Sequence, residues 1–76
     1  MVIAYIMVKA NTGEADRLLT SIRDLDGVTD AHIVAGDVDI IARVEVSSPS
    51  DVKGIAADGI QSVAGVESTQ TYIAME

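Results

Sequence analysis

The chain repeats itself with a period of 38 residues, half of its 76-residue length, and this repeat constrains the fold more than any other feature. Apolar positions of the first half recur in the second: Val2, Ile3, Ala4, Ile6 and Val8 align with Ile40, Ile41, Ala42, Val44 and Val46. The pair Gly27-Val28 recurs as Gly65-Val66. One strand–helix–strand unit is therefore written twice, which predicts a βαββαβ arrangement.

Apolar alternation and helical spacing place six elements along the two units. Strands are expected over 1–9, 28–35, 38–46 and 66–75, and helices over 12–25 and 49–63. Right-handed crossovers put both helices on one face of the sheet. We therefore expect a single α+β domain over residues 1–76, a ferredoxin-like fold with a four-stranded antiparallel sheet and two helices on one face.

Local signals mark the ends of these elements. Asn11 and Glu14 have the spacing of a capping box before the first helix, and Ser48 is a typical N-cap for the second. Gly36-Asp37, between two apolar runs, indicates a tight hairpin turn joining the middle strands.

The sheet face away from the helices is expected to be apolar. The third strand alternates so that its even positions face the helices, and the even repeat period carries that parity to the first strand. The opposite face then holds Ile3, Tyr5, Met7 and Ile41. A domain this short is marginal on its own, and it has no cysteine for disulfides. These four residues are therefore predicted to form a dimer interface, the alternative being an ordinary scatter of exposed apolar residues.

Charge and composition exclude several classes of function. The net charge is −7, and the five Lys and Arg residues are scattered, so direct nucleic-acid binding is not expected. Eight of the twelve acids are Asp and only two residues are Lys, which is compatible with a salt-rich, halophilic cytoplasm. No apolar run reaches the length of a membrane span, and a cytoplasmic location is expected.

Few residues could support catalysis or hold a metal. Asp37 and Asp39 alternate along a strand and point to opposite faces, so they do not converge on one ion. His32 is the sole histidine and is more typical of a surface or interface residue than of a catalytic base. We expect neither an enzyme nor a cofactor or metal site.

The order and spacing of short segments resemble a known family. The chain opens with Ala4-Tyr5-Ile6-Met7-Val8-Lys9, continues with Gly27-Val28, Ala35-Gly36-Asp37-Val38-Asp39-Ile40-Ile41 and Gly65-Val66, and closes with Thr69-Gln70-Thr71-Tyr72-Ile73. This pattern resembles the ligand-binding domain of the Lrp/AsnC transcriptional regulators, also called the RAM domain. Ala35 and Val38 stand where the family typically has a threonine and an aromatic residue.

The resemblance implies an amino-acid sensor that assembles from dimers, typically into an octamer. It places the effector between neighbouring dimers, at positions matching Gly36, Asp37, Asp39, Thr69 and Thr71. Asp37 is the expected ligand-facing acid and Asp39 the structural one. The family's helix-turn-helix domain has no counterpart in this sequence, so the chain is expected to be a stand-alone sensor that modulates transcription through full-length Lrp/AsnC-type partners.

Three alternatives stay open at this point. The chain could be a small enzyme of the dimeric α+β-barrel class, which would need polar groups converging in a deep pocket. It could be a purely structural or ACT-like oligomerisation domain, distinguished by sheets that pair side by side rather than face to face. The effector site could also be vestigial, with oligomerisation alone retained.

Overall fold

The computed structural model describes residues 1–75, and it has the expected βαββαβ order. The elements are β1 (Val2–Ala10), α1 (Ala15–Arg23), β2 (Val28–Ile33), β3 (Ile40–Val46), α2 (Pro49–Gly54) and β4 (Val66–Ile73). A wider π-helical segment, Ile55–Ile60, continues α2. The strands form one antiparallel sheet in the order β2-β3-β1-β4. The predicted ferredoxin-like fold is confirmed.

The core lies between the helices and one face of the sheet. Strand β2 contributes the fully buried Ala31. From β1 and β3 come even positions, as the alternation predicts, of which these are fully buried: Ala4, Ile6, Val8, Ile40, Ala42 and Val44. The helices contribute Leu18, Ile22, Val52, Ala56 and Ile60. Because the even positions are used for this core, the odd positions of both central strands must lie on the other face.

The two repeated glycines occupy equivalent left-handed positions. Gly27 has φ +93° and Gly65 has φ +103°, each just before a strand. A Cβ at Gly27 would also lie 2.6 Å from Cδ1 of Ile55, so the end of the Ile55 side chain would have to move. The repeat in the sequence therefore reflects a backbone conformation that glycine adopts most readily.

The expected start of the first helix is wrong. Helix α1 begins at Ala15, and Glu14 is itself the N-cap residue, with no side-chain capping hydrogen bond. The Glu14 carboxylate instead accepts a hydrogen bond from Arg17 Nε at 2.8 Å. Because the Glu14 carboxylate binds Arg17, three residues later in the chain, it does not accept the backbone N–H of Asn11 as a capping box requires.

The expected tight hairpin turn is also wrong. Strand β2 ends at Ile33 and β3 begins at Ile40, so a loop over 34–39 replaces a two-residue turn. The Asp39 N–H donates to the carbonyl of Val8 at 2.9 Å, and the Val34 N–H donates to the carbonyl of Asp39 at 2.9 Å. These bonds fix both ends of the loop and leave Gly36 and Asp37 exposed at its tip.

The second helix begins as expected and then widens. Ser48 is the N-cap residue and Pro49 lies in the first turn. After Gly54 the helix continues as a π-helix, in which the Gln61 N–H reaches the carbonyl of Ala56 at 3.0 Å. It ends at Ile60, short of the expected 63. Gly54 and Gly59 both fall in this part of the chain, and glycine lowers the helical stability there.

Candidate functional site

The four residues predicted for the interface lie together on the open face of the sheet. In the register of the two central strands, Met7 is paired with Ile41 and Tyr5 with Arg43. Tyr5 is 38% exposed, and the other three predicted residues are half-buried. The structure therefore brings these side chains into one apolar patch at the centre of the sheet.

Sequence reasoning missed Tyr72 as a member of this patch. Strand β4 pairs with β1 so that Tyr72 lies opposite Tyr5, and 51% of Tyr72 is exposed. Strand β4 does not alternate between apolar and polar residues, so its sequence alone does not show which residues face outward. The pairing register with β1 would have been the signal, and it exists only in the folded chain.

Polar groups on β3 and β2 border the patch. Arg43 donates hydrogen bonds through Nη1 to the Glu45 carboxylate and to the Thr29 hydroxyl. Hydrogen bonding to Glu45 raises the pKa of Arg43 above its usual value. The guanidinium is thus held as a charged group beside apolar neighbours.

The edge of the open face carries a second polar pair. His32 and Asp30 lie on β2, with His32 Nε2 3.0 Å from Asp30 Oδ2. The hydrogen bond to His32 lowers the pKa of the Asp30 carboxyl below its usual value. His32 therefore lies on the surface beside the predicted interface, and Asp30 is its neighbour there.

The two candidate acids of the loop over 34–39, Asp37 and Asp39, lie in different environments. Asp37 is exposed, and so is Gly36, where an added Cβ would meet nothing within 4 Å. Asp39 is half-buried, and its carboxylate accepts the N–H of Ala10 at 2.8 Å. The carboxylate of Asp39 therefore has a backbone partner within the fold, whereas that of Asp37 is open to solvent.

The two candidate threonines lie on the helix side of β4. Thr69 accepts a hydrogen bond from Gln61 Nε2 at 2.6 Å. Thr71 borders an open groove of about 360 Å³ between the second helical segment and β4. The groove is mostly apolar, with polar contributions from Lys53 and Gln61.

A single protomer does not bring all five candidate ligand residues into one cavity. Asp39 borders a polar groove of about 620 Å³ formed with the β1–α1 loop, in which Asn11 and Glu67 are further polar neighbours. Thr71 borders the separate groove beside α2. Asn11 and Glu67 were missed because they come from elements distant in sequence from the 34–39 loop.

Residues 1–75 contain no group of three or more His, Asp or Glu side chains placed to hold a metal ion. None of their helices is both long enough and apolar enough to cross a bilayer.

Comparison with known proteins gives the context for this geometry. The family model described as the Lrp/AsnC ligand binding domain matches residues 3–76. The leucine-responsive regulatory protein of Escherichia coli K12 is 25% identical over 97% of this chain. The chain spans 47% of that relative's length.

Solved structures have the same fold. A protein from Thermus thermophilus superposes with a TM-score of 0.96 at 26% identity, covering 100% of this chain and 95% of that one. A transcriptional regulator from Neisseria meningitidis, solved as a complex with L-methionine, has a TM-score of 0.87 at 18% identity. That match covers 99% of this chain and 50% of the regulator.

The family match covers nearly the whole chain, and solved structures share its four-stranded sheet with two helices. The chain therefore belongs to the Lrp/AsnC family, and residues 3–76 correspond to the ligand-binding domain of that family.

Proposed function

We propose that this chain is an oligomeric amino-acid-sensing domain that acts in transcription regulation. Two copies pack their open sheet faces on each other to form a dimer. Dimers assemble further, with an octamer as the expected ring, and the amino acid binds between neighbouring dimers. The chain exerts its effect through partner regulators of the Lrp/AsnC type rather than by touching DNA itself.

The observation that carries this proposal is the apolar patch on the open face. The core already fills the helix-covered face, yet the central residues of the other face, from Ile3 to Met7 and at Ile41, are also apolar. Tyr72 extends the patch onto β4. Burying such a patch against a second copy would contribute about 25 cal/mol for each Å² of apolar surface removed from water.

The charge distribution also permits self-association. On the strands, the open face carries two acids, Asp30 and Glu45, and two cations, Lys9 and Arg43. Most of the net charge of −7 therefore lies on other surfaces. Two copies can approach through this face with less repulsion than through the acidic remainder.

The effector site is proposed at the loop over 34–39 together with β4. A free amino acid presents an ammonium group, which the exposed Asp37 carboxylate can bind by a charge-assisted hydrogen bond. Its carboxylate can accept N–H groups around Gly36, where no side chain obstructs the approach. The Thr71 hydroxyl is a further donor. Because these groups lie apart in one protomer, a second dimer must supply the rest of the site.

The relatives support the ligand class. The Neisseria regulator was solved with L-methionine, and the E. coli relative is named as leucine-responsive. A small free amino acid is therefore the first effector to test. The regulatory character of the family favours sensing over catalysis.

Isothermal titration calorimetry in molar potassium chloride tests the effector site. Each of the twenty amino acids is titrated into the assembled wild-type protein, and at least one is expected to release or absorb heat in a saturable way. Asp37→Ala and Thr71→Val should weaken that binding. Asp26→Ala and Thr20→Val, at exposed positions outside the site, are matched controls. Absence of heat with every amino acid, or binding unchanged by both site variants, would contradict the proposal.

A further inference from the structure

The two outer strands of the sheet differ in how their free edges are finished. In the order β2-β3-β1-β4, strands β2 and β4 each have one edge that no other strand of residues 1–75 pairs with. Backbone N–H and carbonyl groups on such an edge can hydrogen-bond to a strand of another molecule. An edge whose groups already have partners within the fold is closed to that addition.

Backbone groups of a paired strand alternate between its two edges, and two hydrogen bonds show which residues face outward. The Val34 N–H donates towards β3, to the carbonyl of Asp39, so Ala31 directs its backbone groups away from β3. The Ala74 N–H donates to the carbonyl of Ile3 on β1. The odd-numbered residues of β4 over 69–73 therefore direct their backbone groups away from β1.

The outward groups of Ala31 on β2 are both bound by side chains. Asp30 Oδ1 accepts the Ala31 N–H at 3.0 Å. Arg23, the last residue of α1, donates to the Ala31 carbonyl at 3.2 Å from Nε and 2.8 Å from Nη2. Its guanidinium therefore extends from the helix across the free edge of β2. A strand added at this edge would have to break all three hydrogen bonds.

The free edge of β4 has no such contacts. Its outward residues are Thr69, Thr71 and Ile73, and their backbone groups have no hydrogen-bond partner in the described part of the chain. Thr69 is bonded only through its hydroxyl, to Gln61. The segment 68–74 also contains no charged residue and no proline, which are the usual means of blocking an edge.

We infer that Arg23 and Asp30 prevent the β4 edge of one copy from pairing with the β2 edge of the next. Without their contacts the two edges match. An antiparallel register with Ala31 opposite Thr71 pairs two helix-side residues, and it places no charge of β4 opposite Asp30. Each added copy would present a new free edge, so the assembly would grow without closing. The inference concerns the sheet edges and does not depend on a dimer through the open face.

Removing both contacts tests this inference. Arg23→Met/Asp30→Thr removes one cation and one acid, so the net charge is unchanged. Light scattering should show a mass that rises steadily with protein concentration, severalfold above that of the wild type, because β2 now accepts β4 of another copy. Lys53→Met/Asp58→Thr, at exposed helical positions, is the charge-matched control and should keep the wild-type mass. A double variant with the wild-type mass would overturn the inference.

A third substitution separates edge pairing from aggregation of unfolded chains. Thr71→Pro removes an outward N–H of β4, and proline is compatible with an edge position whose N–H is not used within the sheet. Added to Arg23→Met/Asp30→Thr, it should return the mass to that of the wild type. Growth that persists in the triple variant would not arise from the β4 edge and would overturn the inference.

Amide hydrogen exchange provides a test on the wild-type chain, which holds even if the double variant fails to fold. Ala31 and Ile33 both direct their N–H groups to the free edge of β2, but only that of Ala31 has a partner. After correction for intrinsic rates, Ala31 should exchange at least about tenfold more slowly than Ile33. Asp30→Thr should remove the difference. Equal exchange in the wild type would overturn the inference.

Discussion

The carboxylate of Asp39 accepts a hydrogen bond from the backbone N–H of Ala10 at 2.8 Å, joining the start of β3 to the end of β1. The bond lies where the pairing of β1 with β4 shifts register, between Lys9 and Ala10. The Asp39 side chain thus supplies the hydrogen-bond acceptor for the N–H of Ala10 at a point where strand pairing is irregular. It also holds one end of the loop that carries the proposed effector site.

Removing that carboxylate should destabilise the fold. Asp39→Ala leaves the part-buried N–H of Ala10 without its partner, which costs about 1–3 kcal/mol of the free energy of unfolding. Asp37→Ala is the matched control, since Asp37 is exposed, and it should change the free energy by less than about 0.5 kcal/mol. Urea denaturation followed by circular dichroism checks both values. Equal effects from the two variants would refute the structural role of Asp39.

A charge at the centre of the open face should dissociate the proposed dimer. Tyr5→Glu places a carboxylate in the apolar patch, opposite Arg43. Because Arg43 already binds Glu45, a second copy would bury a net negative charge there. Sedimentation velocity at micromolar concentration should show the variant shifted to monomer. Thr20→Glu adds the same charge on α1 and should leave the dimer intact. A Tyr5→Glu dimer as strong as the wild type would place the interface elsewhere.

A side chain at Gly27, the repeated glycine before β2, should destabilise the fold. Gly27→Ala forces an L residue into φ +93° and brings its Cβ to 2.6 Å from Cδ1 of Ile55. We expect a loss of at least about 1 kcal/mol in the free energy of unfolding. Gly36→Ala is the control, because Gly36 has open space around it and no positive φ. A thermal melt in which the two variants lose equal stability would contradict this explanation of the repeat.

Stability should rise with salt. The net charge of −7 opposes compaction at low ionic strength. At 1 M potassium chloride the Debye length is about 3 Å, so most of this repulsion is screened. Thermal melts from low to molar salt should show an increasing Tm. A Tm that is flat or falls would argue against adaptation to a salt-rich cytoplasm.

The sequence was sufficient for the fold because its repeat and its alternation describe the same core. The even positions of β1 and β3, such as Ile6 and Ala42, are apolar, and their burial follows from parity alone. The hairpin loop and the start of α1 were mispredicted because each depends on a side-chain hydrogen bond that the sequence pattern does not show. Asp39 pairs with β1, and Glu14 pairs with Arg17.

Candidate site residues could likewise be predicted only where the local sequence pattern shows which way a residue faces. Residues on alternating strands, such as Met7 and Ile41, could be assigned to the open face from sequence. Tyr72 could not, because β4 lacks alternation and its facing depends on its register with β1. The grouping of Asp39 with Glu67 and Asn11 depends on tertiary proximity and has no local signal.

Sedimentation velocity of the wild-type chain, with and without amino acids, tests the central claim most directly. At micromolar concentration in molar potassium chloride we predict dimers and larger species, with no substantial monomer. Because the proposed effector site lies between dimers, an amino acid that binds must shift the balance between dimers and the larger assembly. A monomeric chain, or an assembly whose size distribution no amino acid alters, would contradict the account.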